Sequence, residues 1–212
     1  PAEGVRLVEA VERSGKIYNL LENYPFMKAN MYIENLWKQG FFGELQYAEF
    51  EYLHECRALQ YTFGDCSPVK PGNIAHAWRS WLDMNYYNTH SLGPIMYISK
   101  RRPVKVSAMT STVCLDGYLF RTGSATPQLI EMDNGAVVRN LMGATSSDGH
   151  SQRIWGTKAA ALQGETGLTL RLGAKGWALS VKANPSWPAH AEMAMAAGHG
   201  GGDFWEFGDE VI

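Results

Sequence analysis

Polar and apolar residues alternate from Leu45 to His54, and this alternation predicts a β-strand. Successive side chains of a strand point to opposite faces of the sheet, so Phe50, Tyr52 and His54 are expected on the same face. One face of the strand therefore carries a phenol and an imidazole, two groups that can exchange protons.

Two earlier segments carry apolar residues at helical spacing. The first covers residues 3–14, is ended by Gly15, and precedes a strand predicted over residues 16–22. The second covers residues 26–39, has one apolar side, and is ended by Gly40. Both are predicted to be helices that bury a single face.

Beyond a helix that ends near Arg101, the pattern changes to short segments typical of strands. Asn134 and Gly135 lie between two of them, and this pair is the strongest short-range signal for a β-hairpin. The predicted strands cover residues 104–115, 128–133, 136–142, 150–155, 159–163, 168–172 and 177–181. Short connections favour antiparallel pairing, so the predicted class is α+β, with a mostly antiparallel, open-faced sheet and helices on one face.

The composition fits a globular protein and disfavours two classes of function. The 212 residues are 45% hydrophobic and 12% aromatic, which suffices for a sizeable core. A formal charge of -2 without a long basic run provides no electrostatic footprint for nucleic acid. No apolar stretch approaches the roughly 20 residues that span a bilayer, so no membrane role is expected.

The cysteines bear on the cellular compartment. Cys56, Cys66 and Cys114 are an odd number and lack a Cys-x-x-Cys spacing, so neither a disulfide framework nor a zinc ribbon is predicted. They suit a reducing compartment, and the cytoplasm is favoured. Any export signal is expected to lie upstream of this chain, which leaves the location open.

The segment from Tyr87 to Pro94 places a phenol and an imidazole three residues apart at a predicted helix start. Pro94 has no N–H and is tolerated near such a start, so His90 is expected in the first helical turn. The positive end of the helix dipole disfavours imidazolium there, which would keep His90 neutral and available as a base. The alternative is that both side chains only pack against the helix or cap it.

A metal site is a rival interpretation of the histidines and glutamates. No two of them show the His-x-x-x-His spacing that puts two imidazoles on one helix face, so no metal is predicted. A nucleophilic Gly-x-Ser-x-Gly elbow is also absent. The residues of ligand type are His54, Glu55, His76, His90 and His199.

Several spaced motifs together resemble the C-terminal half of the Gfo/Idh/MocA oxidoreductases. Within that family, the chain is most similar to the branch of NAD-dependent glycosidases such as α-N-acetylgalactosaminidase. The motifs are Glu22-Asn23-Tyr24, Phe42-Gly43-Glu44, Tyr52-Leu53-His54-Glu55, Trp78-Arg79 and the Tyr-x-Thr-His-Ser-Leu-Gly-Pro segment that begins at Tyr87. The resemblance is strong over residues 1–105 and returns at Gly156-Thr157-Lys158, interpreted as a turn, and at His199.

The resemblance implies a preceding Rossmann domain, whose glycine-rich turn holds the dinucleotide. This chain contains no such turn in the required context. Residues 1–24 are then expected to be the last helix and strand of that missing domain, and residues 25–212 the C-terminal substrate-binding and oligomerisation domain, truncated at its end. NAD or NADP would be bound mainly by the missing domain, with contacts from Asn23 and His199, and the chain alone is expected to be inactive.

The resemblance also assigns roles to individual residues of the site. Tyr87, His90 and Tyr52 are expected to move protons. Contacts to the substrate are expected from Glu22, Arg79 and His54. The residues themselves leave alternatives open, because Tyr52 would also suit a core position and Arg79 would also stack between Trp78 and Trp81.

Two classes of function are compatible with these residues and motifs. The first is the substrate-binding domain of an NAD(P)-dependent oxidoreductase of sugars or sugar derivatives, including a glycosidase that works by oxidation and elimination. The second is a sugar-binding or oligomerisation module without catalysis. Expected partners are a sugar or glycoside, the Rossmann domain, and a second copy of the chain paired through the sheet.

Overall fold

The computed structural model describes residues 2–19, 22–55, 84–113, 125–164, 167–173 and 177–181. The helices are α1 (Ala2–Ser14), α2 (Lys28–Lys38) and α3 (Asn88–Ser99), and short 3-10 turns cover Tyr24–Phe26 and Met84–Tyr87. The strands are β1 (Leu45–His54), β2 (Pro103–Ala108), β3 (Ala125–Met132), β4 (Val137–Ala144), β5 (Gly149–Gly156), β6 (Ala159–Gly164), β7 (Gly167–Leu172) and β8 (Trp177–Val181). Among these described helices, none is long and apolar enough to cross a membrane.

The eight strands form one sheet in the order β2-β3-β4-β1-β5-β6-β7-β8. Strand β1 lies inside the sheet, parallel to β4 and antiparallel to β5. The other neighbouring strands pair in antiparallel fashion. The predicted α+β class with a mostly antiparallel sheet is therefore confirmed.

The two faces of the sheet differ in polarity. Phe50 and Tyr52 of β1 are buried on the face that α2 and α3 cover, where Ile33 and Ile95 complete the hydrophobic core. The other face carries charged residues, including Glu49 of β1, which contacts arginines of β4 and β5. The alternation over residues 45–54 thus separates a buried face from an open one.

Asn134 and Gly135 form the predicted hairpin turn between β3 and β4. Gly135 has φ of +83°, a conformation that only glycine adopts without strain, and its N–H donates to the Met132 carbonyl at 2.9 Å. The side-chain amide of Asn134 donates to the Leu45 carbonyl at 2.9 Å. The turn therefore also fastens the hairpin to the start of β1.

The segment between β5 and β6 is a turn, as predicted. Its Thr157 N–H donates to the Glu44 carbonyl at 2.9 Å, and its Lys158 N–H donates to the Phe42 carbonyl at 3.0 Å. A Cβ on Gly156 would lie 2.0 Å from the Phe42 carbonyl oxygen. Glycine is needed at this position because the two backbones approach too closely for any side chain.

The strand predicted over residues 16–22 is wrong for the residues that the structure describes there. Ile17 is 97% exposed, and residues 16–19, 22 and 23 have no strand pairing. A strand needs a neighbour for its backbone hydrogen bonds, and no described strand pairs with this segment. Helix α1 exists as predicted, but its apolar residues Val5 and Val8 are more than half exposed.

Two predicted boundaries also differ. Strand β2 ends at Ala108 because the next partner along β3 is Pro127, which has no N–H to donate to the ladder. Pro94 is the seventh residue of α3 and not a first-turn residue. The helix tolerates it at the cost of one internal bond, because Pro94 cannot donate to the His90 carbonyl.

Candidate active site

His90 and Glu22 form a hydrogen-bonded pair at the start of α3. The His90 Nδ1 atom lies 2.7 Å from Glu22 Oε1 and 2.9 Å from Oε2, and the side chains are only 12% and 15% exposed. A carboxylate accepts hydrogen bonds and donates none, so Nδ1 carries the proton. In the neutral ring, Nε2 is then the nitrogen that accepts a proton.

The charge of Glu22 is maintained by this pairing. Burial raises the pKa of the Glu22 carboxyl, but hydrogen bonds from His90 and Thr89 and the charge on His90 outweigh burial, so the pKa lies below its ordinary value of 4.5. The neutral charge state that the sequence predicts for His90 stays a prediction.

A network of buried amides holds the start of α3 on the sheet. The Asn88 Oδ1 atom accepts from Gln128 Nε2 at 3.2 Å and from Asn140 Nδ2 at 3.1 Å. Gln128 also donates to Asn85 Oδ1 at 3.0 Å, in the 3-10 turn that precedes the helix. These bonds fix the start of α3, and with it Tyr87 and His90, relative to β3 and β4.

The three side chains predicted to move protons lie together. The ring centre of Tyr52 is 5.0 Å from that of His90 and 6.4 Å from that of Tyr87, and the Tyr87 and His90 rings are 5.2 Å apart. Tyr24 stacks on His90 at 4.6 Å with an interplanar angle of 18°. Burial raises the pKa of Tyr24 to about 12, so it remains a neutral phenol that covers the imidazole.

A second histidine–carboxylate pair lies at the end of β1. The His54 Nδ1 atom is 2.7 Å from Asp148 Oδ1, which also accepts from the Glu55 N–H at 2.8 Å. The hydrogen bond from His54 is the main reason that the pKa of Asp148 is lowered. Asp148 therefore ties the turn between β4 and β5 to the end of β1.

A cavity of about 340 Å³ opens between α2, α3 and the sheet. This volume is within the range of small-molecule sites. His90 forms part of its wall, whereas Tyr52 is only 6% exposed and packs behind Tyr24 and His90. Residues that line the cavity include Tyr24, Asn30, His90, His150, Gln152 and Gln163.

Curated relatives match half of the chain. No family model matches any part of this chain. A glycosyl hydrolase family 109 protein of Shewanella sp. (strain ANA-3) is 32% identical over 107 residues, which is 50% of this chain and 22% of that protein. The α-N-acetylgalactosaminidase of Shewanella oneidensis is 29% identical over the same lengths and shares. The match thus spans about a fifth of the length of these relatives.

Solved structures share the fold over most of the chain. An inositol dehydrogenase homologue from Azotobacter vinelandii, in complex with NAD+, has a TM-score of 0.63 at 15% identity, covering 84% of this chain and 47% of that one. A UDP-N-acetylglucosamine 3-dehydrogenase from Acidithiobacillus ferrooxidans has a TM-score of 0.59 at 17% identity, covering 86% and 54%. The predicted resemblance is confirmed. The curated relatives carry glycosidase names, and the solved structures with the same fold carry dehydrogenase names.

The other predicted site residues are placed unevenly. Arg79 and His199 lie outside the described residues. Asn23 is 7% exposed and precedes the 3-10 turn, where its carbonyl accepts from the Phe26 N–H at 3.0 Å. His54 adjoins Tyr52, with ring centres 5.7 Å apart. The roles proposed for these residues stay predictions.

Sequence reasoning missed three residues of the site. Tyr24 belongs to one of the motifs but received no predicted role, and neither did Asp148 and His150. The signal for Asp148 is its position in Ser146-Ser147-Asp148-Gly149, a turn composition. His150 is the first residue of a predicted strand, and only the register of β5 with β1 places it opposite Tyr52.

No cluster of three or more metal-ligating side chains occurs in the part of the chain that the structure describes. The histidines at 76 and 199 and the three cysteines lie outside that part. The described histidines at 54 and 90 each bind a carboxylate. The absence of a metal therefore stays a prediction.

The Glu22 pKa predicts how stability depends on pH. Because the folded pKa lies below 4.5, ionised Glu22 stabilises the fold above that pH, and the contribution is lost as the pH falls through the folded pKa. We expect Glu22→Gln to lower the free energy of unfolding by about 1 to 2 kcal/mol at neutral pH. The difference from the wild-type chain should shrink towards about pH 3.

Urea unfolding of the wild-type protein and of Glu22→Gln, from neutral pH to about pH 3, measures this difference. Glu12→Gln is the matched control, because it removes the same charge from the exposed surface of α1. A Glu22 variant whose deficit stays constant with pH would show that the carboxylate charge does not stabilise the fold.

Proposed function

We propose that this chain is the substrate-binding part of an NAD(P)-dependent oxidoreductase that acts on sugars or sugar derivatives. The observation that carries the proposal is the Glu22–His90 pair, whose imidazole lines a cavity of about 340 Å³ and lies beside Tyr87 and Tyr52. A carbinol can be oxidised to a carbonyl only if a base takes its hydroxyl proton. An imidazole that is hydrogen-bonded to a carboxylate can serve as such a base. The dehydrogenase fold and the family 109 relatives support the same class of substrate.

The chemistry of the site fits a nicotinamide cofactor. NAD(P) would accept the hydride from the carbinol carbon. His90 would accept the hydroxyl proton on Nε2, and Glu22 would stabilise the imidazolium that results, because its carboxylate already accepts from Nδ1. Asn23, next to Glu22, and His199 are the residues of this chain that we propose to contact the cofactor.

A glycosidase requires a second proton transfer. After oxidation at one carbon, a base must remove the proton from the neighbouring C–H so that the glycosidic group leaves. We propose Tyr52 or Tyr87 for this step, since both rings lie within 6.4 Å of one another and within 5.2 Å of His90. Glu22, His54 and Arg79 would hold the sugar hydroxyls.

The domain organisation is also part of this proposal. We propose that residues 1–24 belong to a Rossmann domain and residues 25–212 to the substrate-binding domain, within a longer protein. The exposed apolar residues Val5 and Val8 of α1 support this division, because an amphipathic helix normally buries its apolar side against a neighbour. We favour the cytoplasm as its location.

A non-catalytic sugar-binding or oligomerisation module is the alternative, and the open face of the sheet would be its surface for oligomerisation. Leu129 and Val137 are 56% and 40% exposed there, beside the aromatic contact of Tyr47 with Trp155. We propose that a second copy of the chain covers this face, whether or not the protein is an enzyme. Sedimentation velocity should give a dimer that Arg139→Glu weakens, and a wild-type monomer at micromolar concentration would contradict this pairing.

The enzyme proposal predicts a large effect of His90→Ala on turnover. In the full-length protein with NAD, we expect kcat to fall by about 100- to 10,000-fold, because a positioned base contributes that much. KM should rise by no more than about ten-fold, the worth of one hydrogen bond. Suitable probes are p-nitrophenyl α-N-acetylgalactosaminide, for release of nitrophenol, and myo-inositol and UDP-N-acetylglucosamine, for formation of NADH.

Tyr97→Phe is the control, because it removes a phenol from α3 at a site that packs on Phe26 and Lys100, away from the Tyr52 cluster. Near-normal turnover in His90→Ala would move the base to Tyr87 or Tyr52. A full-length protein that binds a sugar but turns over none would support the non-catalytic alternative.

A further inference from the structure

A third imidazole, His150, faces the same cavity as His90. In the antiparallel register of β1 and β5, His150 lies directly opposite Tyr52, and their ring centres are 4.7 Å apart. Its ring centre is 6.2 Å from that of Tyr24. The residue lines the cavity wall, so a molecule in the cavity can reach it.

His150 differs from its two neighbouring histidines in its hydrogen bonds. His54 and His90 each have Nδ1 bound to a carboxylate, on Asp148 and Glu22. The His150 ring contacts aromatic rings and has no hydrogen-bond partner among the described residues. Neither nitrogen is therefore bound to a described residue, although His150 lies within the same cluster of proton-exchanging groups.

The position of His150 is fixed by the structure around it. Asp148 holds the turn before β5 to the end of β1 through the His54 ring and the Glu55 N–H. Two residues further along β5, Gln152 pairs with Phe50, and its amide donates to Asn30 and Gln163. His150 therefore sits between two anchored points on the cavity wall, and the strand does not need its ring nitrogens.

We propose that His150 is a substrate-contacting residue of this site, whose ring forms a hydrogen bond with a sugar hydroxyl. A neutral imidazole carries one donor and one acceptor, and a hydroxyl group can pair with either of them. The inference rests on the proposed function, because it assigns a specificity residue to the same site.

The surroundings of His150 lower its pKa and thereby favour the neutral ring. Burial lowers the pKa of His150, and the charges of His54 and His90 lower it further, whereas Asp148 and Glu51 raise it, with a net shift below its ordinary value of 6.5. Among the described residues, the other titratable groups in contact with its ring are the phenols of Tyr24 and Tyr52, which are ordinarily uncharged at neutral pH. At neutral pH the ring is consequently both a donor and an acceptor.

Two substitutions at this position separate hydrogen bonding from packing. His150→Phe keeps a ring against Tyr52 and removes both hydrogen-bonding nitrogens, whereas His150→Gln keeps a donor and an acceptor without a ring. In the full-length protein with NAD, assayed on whichever of the three probes the wild type turns over, we expect His150→Phe to raise KM by about two- to twelve-fold. kcat should stay within about two-fold, and His150→Gln should recover most of the wild-type KM.

The outcomes distinguish the inference from the function on which it rests. An unchanged KM in His150→Phe, together with a loss of turnover in His90→Ala, would overturn the role of His150 and leave the enzyme proposal standing. A His90→Ala variant with normal turnover would instead overturn the proposed base. A KM that rises in His150→Gln but not in His150→Phe would show that the ring only packs against Tyr52, provided that thermal unfolding confirms both variants are folded.

Discussion

The hydrogen bond from His90 to Glu22 is the interaction on which the site depends. It joins the segment before the first 3-10 turn to the first turn of α3, across 68 positions of sequence. The same bond determines which ring nitrogen holds the proton and maintains the charge of the buried carboxylate. Without it, Tyr24 would stack on an imidazole whose orientation and tautomer nothing fixes.

The fold supports this interaction by holding α3 firmly on the sheet. Ile95 and Ile98 anchor the helix in the hydrophobic core, and the amides around Asn88 anchor its polar start. Buried amides stabilise only when their partners are correctly placed, so the network specifies one position for the helix. Strand β1 then carries Tyr52 to a point beneath His90.

Local sequence patterns predicted the parts of this structure that local physics determines. The alternation in β1, the turn at Gly135 and the first-turn position of His90 each follow from the residues within a few positions. Pairings across long distances were beyond such patterns, because the register of β1 with β5 decides that His150 meets Tyr52. The strand expected over residues 16–22 failed for the same reason, since a strand requires a partner that its own sequence does not supply.

The tautomer of His90 is the sharpest test of the proposed base. Nitrogen NMR of the imidazole rings in the 212-residue chain, assigned by comparison with His90→Gln, reports which ring nitrogen carries the proton. At a pH where the ring is neutral, we predict a proton on Nδ1 and a bare Nε2, because Glu22 accepts from Nδ1. A proton on Nε2 with a bare Nδ1 would contradict this assignment, because the nitrogen proposed as the base would then be unable to accept one.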